Sequence, residues 1–237
     1  MANVQSARTT ADTRAQVQVN SFIRSVYNWM GIGLGLTALM ALYVSSSEAM
    51  LQLIFGNPLI FFGLIAAELG MVFYLSARVQ KIQASTATAL FVIYSVLNGV
   101  TLSFIFIAYT PASIVSTLFV CAGTFVACSI FGFVTKRDLT SLGGFMFMGL
   151  IGIIIASLVN LFIQSSAITT IVSYIGVLVF VGLTAYDTQK LKHMAMTQPA
   201  GLEAGVVRKG AIMGALSLYL DFINLFLMLL YIMGGRE

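Results

Sequence analysis

Asp221 stands in the middle of a long apolar run, 211–233, and Asp187 closes the apolar run before it, 168–186. An ionisable group at bilayer depth costs about 2.5–3.5 kcal/mol on insertion scales, so it needs a partner, a proton or a water-filled cavity. Two acids on consecutive spans suggest a pair that shares a proton and titrates as one coupled unit. Loss of that proton leaves two like charges that repel each other or attract a cation. Carboxylates are also the hard oxygen ligands that calcium prefers. The expected chemistry couples protonation, helix separation and cation passage, with calcium held transiently at Asp187 and Asp221 and no resident cofactor.

Other polar residues sit where they can join this pair. Glu68 lies about ten residues inside a second span, a depth of roughly 15 Å that matches Asp221. Arg78, two to three turns further along, is expected to reach toward it. Gly210, Gly214, Ser217, Asp221 and Asn224 recur every three or four residues, which places them on one helical face. Gly210 and Gly214 form a small-xxx-small contact that lets another helix approach closely. Ser95, Asn98 and Thr101 make a similar face, as do Thr117, Cys121, Thr124 and Cys128, and Gly149, Gly152, Ala156 and Asn160.

Each of these has a structural reading as well. Small and hydroxyl residues in membrane helices commonly serve packing and interhelical hydrogen bonds. Asp187 also reads as a helix-end charge answered by Lys190, and Glu68 as an ion pair with Arg78. Asp221 also reads as a protonated acid bonding a neighbouring helix. Three acids and an arginine converging on one half of the membrane favour a functional site.

The elements that must position these residues are membrane spans. Of 237 residues, 59% are hydrophobic and 8% charged, with a mean hydropathy of +0.98. A soluble domain carries about 25% charge, so the fold class is an all-α integral membrane protein. Seven runs are long enough to span: 25–44, 58–75, 87–109, 112–134, 142–163, 168–186 and 211–233. Pro58 opens the second, where its missing N–H has no intrahelical partner anyway. Pro111 marks a tight turn between the third and fourth.

Basic residues fall in alternate connections. Arg8, Arg14 and Arg24 precede the first span or begin it. Arg78 and Lys81 follow the second, Lys136 and Arg137 the fourth, and Lys190, Lys192, Arg208 and Lys209 the sixth. The other connections hold only Glu48. The positive-inside rule then puts the N-terminus in the cytoplasm and the C-terminus, ending Arg236-Glu237, outside. Residues 1–21 read as a flexible cytoplasmic tail with a surface helix near residues 16–24, and 22–237 as one membrane domain. No apolar core directly follows a short basic start, so a cleavable signal is not expected. The net charge of +4 comes from short basic loops and does not suggest nucleic-acid binding. Cys121 and Cys128 lie two helical turns apart, out of disulfide reach, and no Cys/His metal spacing occurs.

Two segments carry a resemblance. Val181-Gly182-Leu183-Thr184-Ala185-Tyr186-Asp187-Thr188-Gln189-Lys190-Leu191-Lys192 and Ala215-Leu216-Ser217-Leu218-Tyr219-Leu220-Asp221-Phe222-Ile223-Asn224-Leu225-Phe226 are similar to the Bax inhibitor family of transmembrane BAX-inhibitor-motif proteins, in its bacterial inner-membrane branch. Glu68 and residues 99–109 fit the same family. The resemblance implies six helices around a central C-terminal seventh. It also implies a pH-sensitive calcium leak channel in the inner membrane, working through a di-aspartyl latch that falls on Asp187 and Asp221. The family's span-two acid falls on Glu68, and the arginine that pairs with the latch in one state falls on Arg78. One bacterial relative is linked to the membrane protease FtsH, which implies a possible protease partner beside the lipid bilayer, calcium and protons.

Two further classes compete with a channel. A non-transporting scaffold or modulator of a membrane protease complex needs no ion path. An intramembrane aspartyl protease also places two aspartates on adjacent spans, one after a tyrosine, as in Tyr186-Asp187. Such enzymes carry Gly-x-Gly before the second aspartate, whereas Leu218-Tyr219-Leu220 stands here, so the chain does not read as an enzyme. A retinal protein needs a lysine within 211–233, and none is there. In the mechanism expected, the two acids share a proton and hydrogen-bond in the closed state, plugging the cytoplasmic mouth beneath span seven, and proton loss or exchange of Asp221 toward Arg78 opens the path. His193 reads as a surface residue.

Overall fold

The computed structural model describes residues 2–197, Pro199 and 202–235, with side chains from Val17 onward. The side chains of Arg8 and Arg14, and the terminal Arg236-Glu237, lie outside the described residues. All regular structure is helical: α1 (Ala2–Ser45), α2 (Glu48–Phe55), α3 (Pro58–Arg78), α4 (Ala84–Leu102), α5 (Ile105–Ala108), α6 (Pro111–Val134), α7 (Thr140–Ile163), α8 (Ser166–Thr197) and α9 (Ala204–Met233). Seven of these units are long and apolar enough to cross a membrane: α1 from Val17, α3, α4 with α5, α6, α7, α8 and α9.

Local chemistry sets the helix ends. Pro58 and Pro111 occupy first-turn positions. The Asn57 side chain accepts from Leu59 N at 3.0 Å, and Thr110 Oγ1 accepts from Ser113 N at 3.3 Å. Asn160 pins the α7–α8 turn from both ends of its amide. Its Oδ1 accepts from Ser165 N at 2.9 Å, and its Nδ2 donates to Thr169 Oγ1 at 2.7 Å. Gln164 closes α7 in the left-handed region, φ 53°.

Several helices outrun their apolar stretches. α1 is one continuous helix from Ala2, so the expected boundary after residue 21 is not a helix boundary. α8 continues past Asp187 to Thr197. Asp187 is therefore not a helix-end charge, because its backbone stays helical for almost three more turns. The helix α2, between the first two spans, was not expected from hydropathy. Ser47 accepts from Met50 N at its start.

The last helix is the axis of the bundle, as expected. α9 packs against α1, α4, α6 and α8, while α3 lies on α4 and α7 on α8. Its fully buried side chains include Ile212, Leu218, Tyr219 and Leu225. Close approach relies on glycine, as at two contacts of α8 and α9. A Cβ on Gly132 of α6 would collide with the Ala185 carbonyl of α8. One on Gly214 would stand 2.5 Å from Leu191 Cδ2, with Val26 behind it.

A hydroxyl lock joins three helices on one side of α9. Thr37 Oγ1 lies 2.6 Å from Tyr219 Oη, 2.8 Å from Ser95 O and 3.0 Å from Gly33 O. Threonine has one proton, which serves a carbonyl, so Tyr219 donates to Thr37. The lock faces α1 and α4. Asp221, two residues on, turns to the opposite side of the same helix.

Candidate functional site

On that opposite side, α3, α4, α7, α8 and α9 enclose a cavity of about 730 Å³. Glu68, Asp187, Asp221 and Asn224 all line it, joined by Tyr94, Ser217 and Lys190. The expected convergence of Glu68 with the two aspartates is thus found, on three different helices. Asp187 is half-buried, whereas Asp221 is only 5% exposed. Asp221 Oδ2 is enclosed and has no hydrogen-bond partner. The Asp187 charge acts on Asp221, and the Lys190 charge acts on Asp187. The expected hydrogen bond between the two aspartates is not found among the described residues, since Asp221 Oδ2 is enclosed by other atoms without a polar partner.

Glu68 is held from the neighbouring helix. Thr101 Oγ1 lies 2.9 Å from Glu68 Oε1, in reach to donate to it, and 3.0 Å from Asn98 O. Asn98 does not line the cavity itself. Its Nδ2 donates to Tyr94 Oη at 3.0 Å, and Tyr94 does line it. Asn98 is therefore a support for the wall, and Tyr94, one turn earlier on the same face, is the residue that sequence reasoning missed. Its spacing of four from Asn98 was the available signal.

Arg78 is not brought to the acids. It lies at the exposed end of α3, and the cavity-facing residues of that helix are Ile65, Glu68, Leu69 and Val72. Arg78 lies six residues past Val72, about 600° around the helix and so well away from that face. The basic group in the cavity is Lys190 instead. Its Nζ lies 5.9 Å from the Tyr186 ring centroid.

The polar stripe of α9 divides by depth. Gly214 serves packing, whereas Ser217, Asp221 and Asn224 face the cavity. Gly210 lies on α9 and is half-buried. Asn224 donates to Leu220 O at 2.8 Å and also lines a smaller cavity of about 300 Å³ with Leu150, Ile154 and Phe180. Those four residues are common to both cavities. In the other direction, Tyr186 and Lys190 divide the acidic cavity from a cleft of about 600 Å³ at the helix ends. Tyr186 stands against Gly143, where a Cβ would meet its ring. Three hollows therefore lie along α8, with the acids in the middle one.

The described residues contain no cluster of three or more His, Cys, Asp or Glu side chains placed to hold a metal ion. Calcium takes six to eight oxygen ligands when held firmly. Cys121 and Cys128 are free thiols, Cys121 buried with its Sγ 3.7 Å from Phe222 O.

Comparison with known proteins agrees with this architecture. Residues 19–237 match the family described as inhibitor of apoptosis-promoting Bax1. The chain is 52% identical over 230 residues to inner membrane protein YbhL of Escherichia coli, covering 97% of this chain and 98% of that one. It is 45% identical over 218 residues to a protein of Borreliella burgdorferi, covering 92% and 93% of the two chains. A Streptococcus pyogenes membrane protein is 39% identical over 227 residues, covering 95% and 97%. The chain belongs to the Bax1 inhibitor family.

Proposed function

We propose that this member of the Bax1 inhibitor family is a multi-pass inner-membrane protein that passes calcium down its gradient, under control of a proton on Asp221, beside Asp187. The inner-membrane reading rests on the likeness to YbhL, and the N-terminus is assigned to the cytoplasm by the basic connections. The observation that carries the proposal is that one cavity collects Glu68, Asp187, Asp221 and Asn224 inside a seven-helix bundle.

The physics follows from the enclosed oxygen of Asp221. A carboxylate buried without a partner is costly when charged, so the conformation described suits a protonated Asp221. Loss of that proton leaves two like charges across one cavity. That repulsion is relieved by helix separation, by water or by a cation. Separation and water widen the hollow between α8 and α9, and a cation between the two charges is the ion in transit. Lys190 is the first cation able to answer the freed charge on Asp187, a role the sequence had suggested for Arg78 toward Asp221.

The test is calcium flux into liposomes at stepped pH. A leak that varies with pH, and that loses this variation in Asp221→Asn, supports the reading. A protein that leaves calcium outside at every pH is a scaffold instead.

A further inference from the structure

The cleft beyond Tyr186 carries charge that the proton-controlled path, which draws only on Lys190 among its cations, leaves unused. It lies between the α6–α7 connection and the last turns of α8, and is lined by Lys136, Arg137, Lys190, Lys192, His193 and Asp138. Four firm cations and a histidine thus face one carboxylate. That carboxylate is already engaged: Asp138 Oδ1 accepts from Thr140 N at 2.9 Å, and the His193 charge acts on it. Lys192 is engaged too, donating from Nζ to Phe133 O at 2.7 Å, the carbonyl one residue before the end of α6.

The cleft is fixed by a buried amide. Gln189 is 6% exposed, donates from Nε2 to Arg137 O and accepts at Oε1 from Leu139 N, both at 2.8 Å. This clamp holds the connection on α8 and keeps Lys136 and Arg137 at the rim, both exposed. Neither has a side-chain hydrogen bond or ion pair among the described residues. Holding like charges together on a fixed frame is unfavourable unless an anion sits among them.

Guanidinium and ammonium groups side by side suit phosphate, the first as a planar fork and the second as a point charge. Depth agrees with that ligand. α6 ends in Phe133 and Val134, the latter 68% exposed, and Lys136 and Arg137 follow at once. This step from apolar to basic is where headgroup phosphates lie. We propose that this cleft is a binding site for a phosphate-bearing anion, supplied by the headgroup of an anionic phospholipid or by free phosphate. Such binding does not depend on whether the acids gate a path.

The full-length protein in neutral detergent is offered equal amounts of phosphatidylglycerol and phosphatidylcholine, and bound lipid is counted by native mass spectrometry. In a second arm, phosphorus NMR follows inorganic phosphate with phosphatidylcholine alone. Wild type is expected to retain phosphatidylglycerol in preference. Lys136→Gln with Arg137→Gln is expected to weaken that retention about thirty-fold, about fivefold for each basic residue lost. Lys81→Gln with Lys209→Gln removes equal charge from the same side of the bundle and is expected to keep it. Phosphate binding without lipid preference, lost in the Lys136/Arg137 variant, assigns the site to the free anion. No binding in either arm, or binding unaltered by the Lys136/Arg137 variant, overturns the proposal. Both residues are exposed, and an unchanged melting temperature of the variant confirms that its fold is intact.

Discussion

Asp187 and Asp221 face one cavity from neighbouring helices, and the more deeply buried of the two, Asp221, keeps Oδ2 enclosed without a hydrogen-bond partner. The two acids are not set symmetrically. Asp187 is half-buried with the Lys190 charge nearby, while Asp221 sits at the axis of the bundle. Charge is therefore tolerated more readily on α8 than on α9, and under the proposed control α9 is the helix whose surroundings change when the proton leaves.

In the proposed channel the path and the sensor are separable at Asn224, which lines both the acidic cavity and the smaller hollow beyond it. Asn224→Leu fills the junction with an apolar side chain. Calcium flux is expected to fall about tenfold, roughly 1.4 kcal/mol of added barrier, while its dependence on pH keeps the same shape. A pH profile altered in shape would place Asn224 in the sensor.

Helix contact through Gly132 is expected to be intolerant. Gly132→Ala drives a methyl into the Ala185 carbonyl, a backbone group that cannot swing aside. A loss of about 1–3 kcal/mol is expected, read as a lowered melting temperature in detergent. Gly144→Ala has open space around the new methyl and is the matched control, expected to change little.

Tyr219→Phe removes the proton that Tyr219 gives to Thr37 while leaving the ring against Phe91 and Tyr94. Thr37 still bonds its carbonyl acceptors, so the cost is expected to be about 0.5–1.5 kcal/mol, read by the same melting assay. A larger loss would mean that the hydroxyl does more than join α9 to α1 and α4.

Asp138 gives a pH signature outside the membrane. The Thr140 hydroxyl and then its N–H stabilise the carboxylate, with the His193 charge adding to them, so Asp138 titrates below the ordinary aspartate value. A depressed folded value means that the stabilisation is complete above the unfolded value and is lost as pH falls through the folded one. Carbon-detected NMR of labelled aspartate is expected to show this low midpoint, and Thr140→Ala is expected to raise it. An unmoved midpoint in that variant would contradict the assignment.

Hydropathy made the seven spans legible, because each run must satisfy its own backbone in lipid. Helix ends were less so. α8 runs on through Gln189, which binds the α6–α7 connection, and Lys192, which binds the last turn of α6, a tertiary support no local pattern announces. Likewise α2 is too short for a span, and its only local mark is Ser47 before Glu48. Spacing placed Ser217, Asp221 and Asn224 on one face correctly. It misjudged Arg78, since depth along a helix says nothing about direction around it unless the angle is carried through. Tyr186 and Lys190 were read as motif and loop charge, yet they divide two hollows, a role that depends on where α7 lies.

The most direct measurement is calcium uptake into liposomes holding purified protein, stepped through pH, for wild type, Asp187→Asn and Asp221→Asn. The account expects uptake that rises as pH rises in wild type, with a pH response flattened in both variants and most completely in Asp221→Asn. A wild-type titration reproduced unchanged by Asp221→Asn would contradict it.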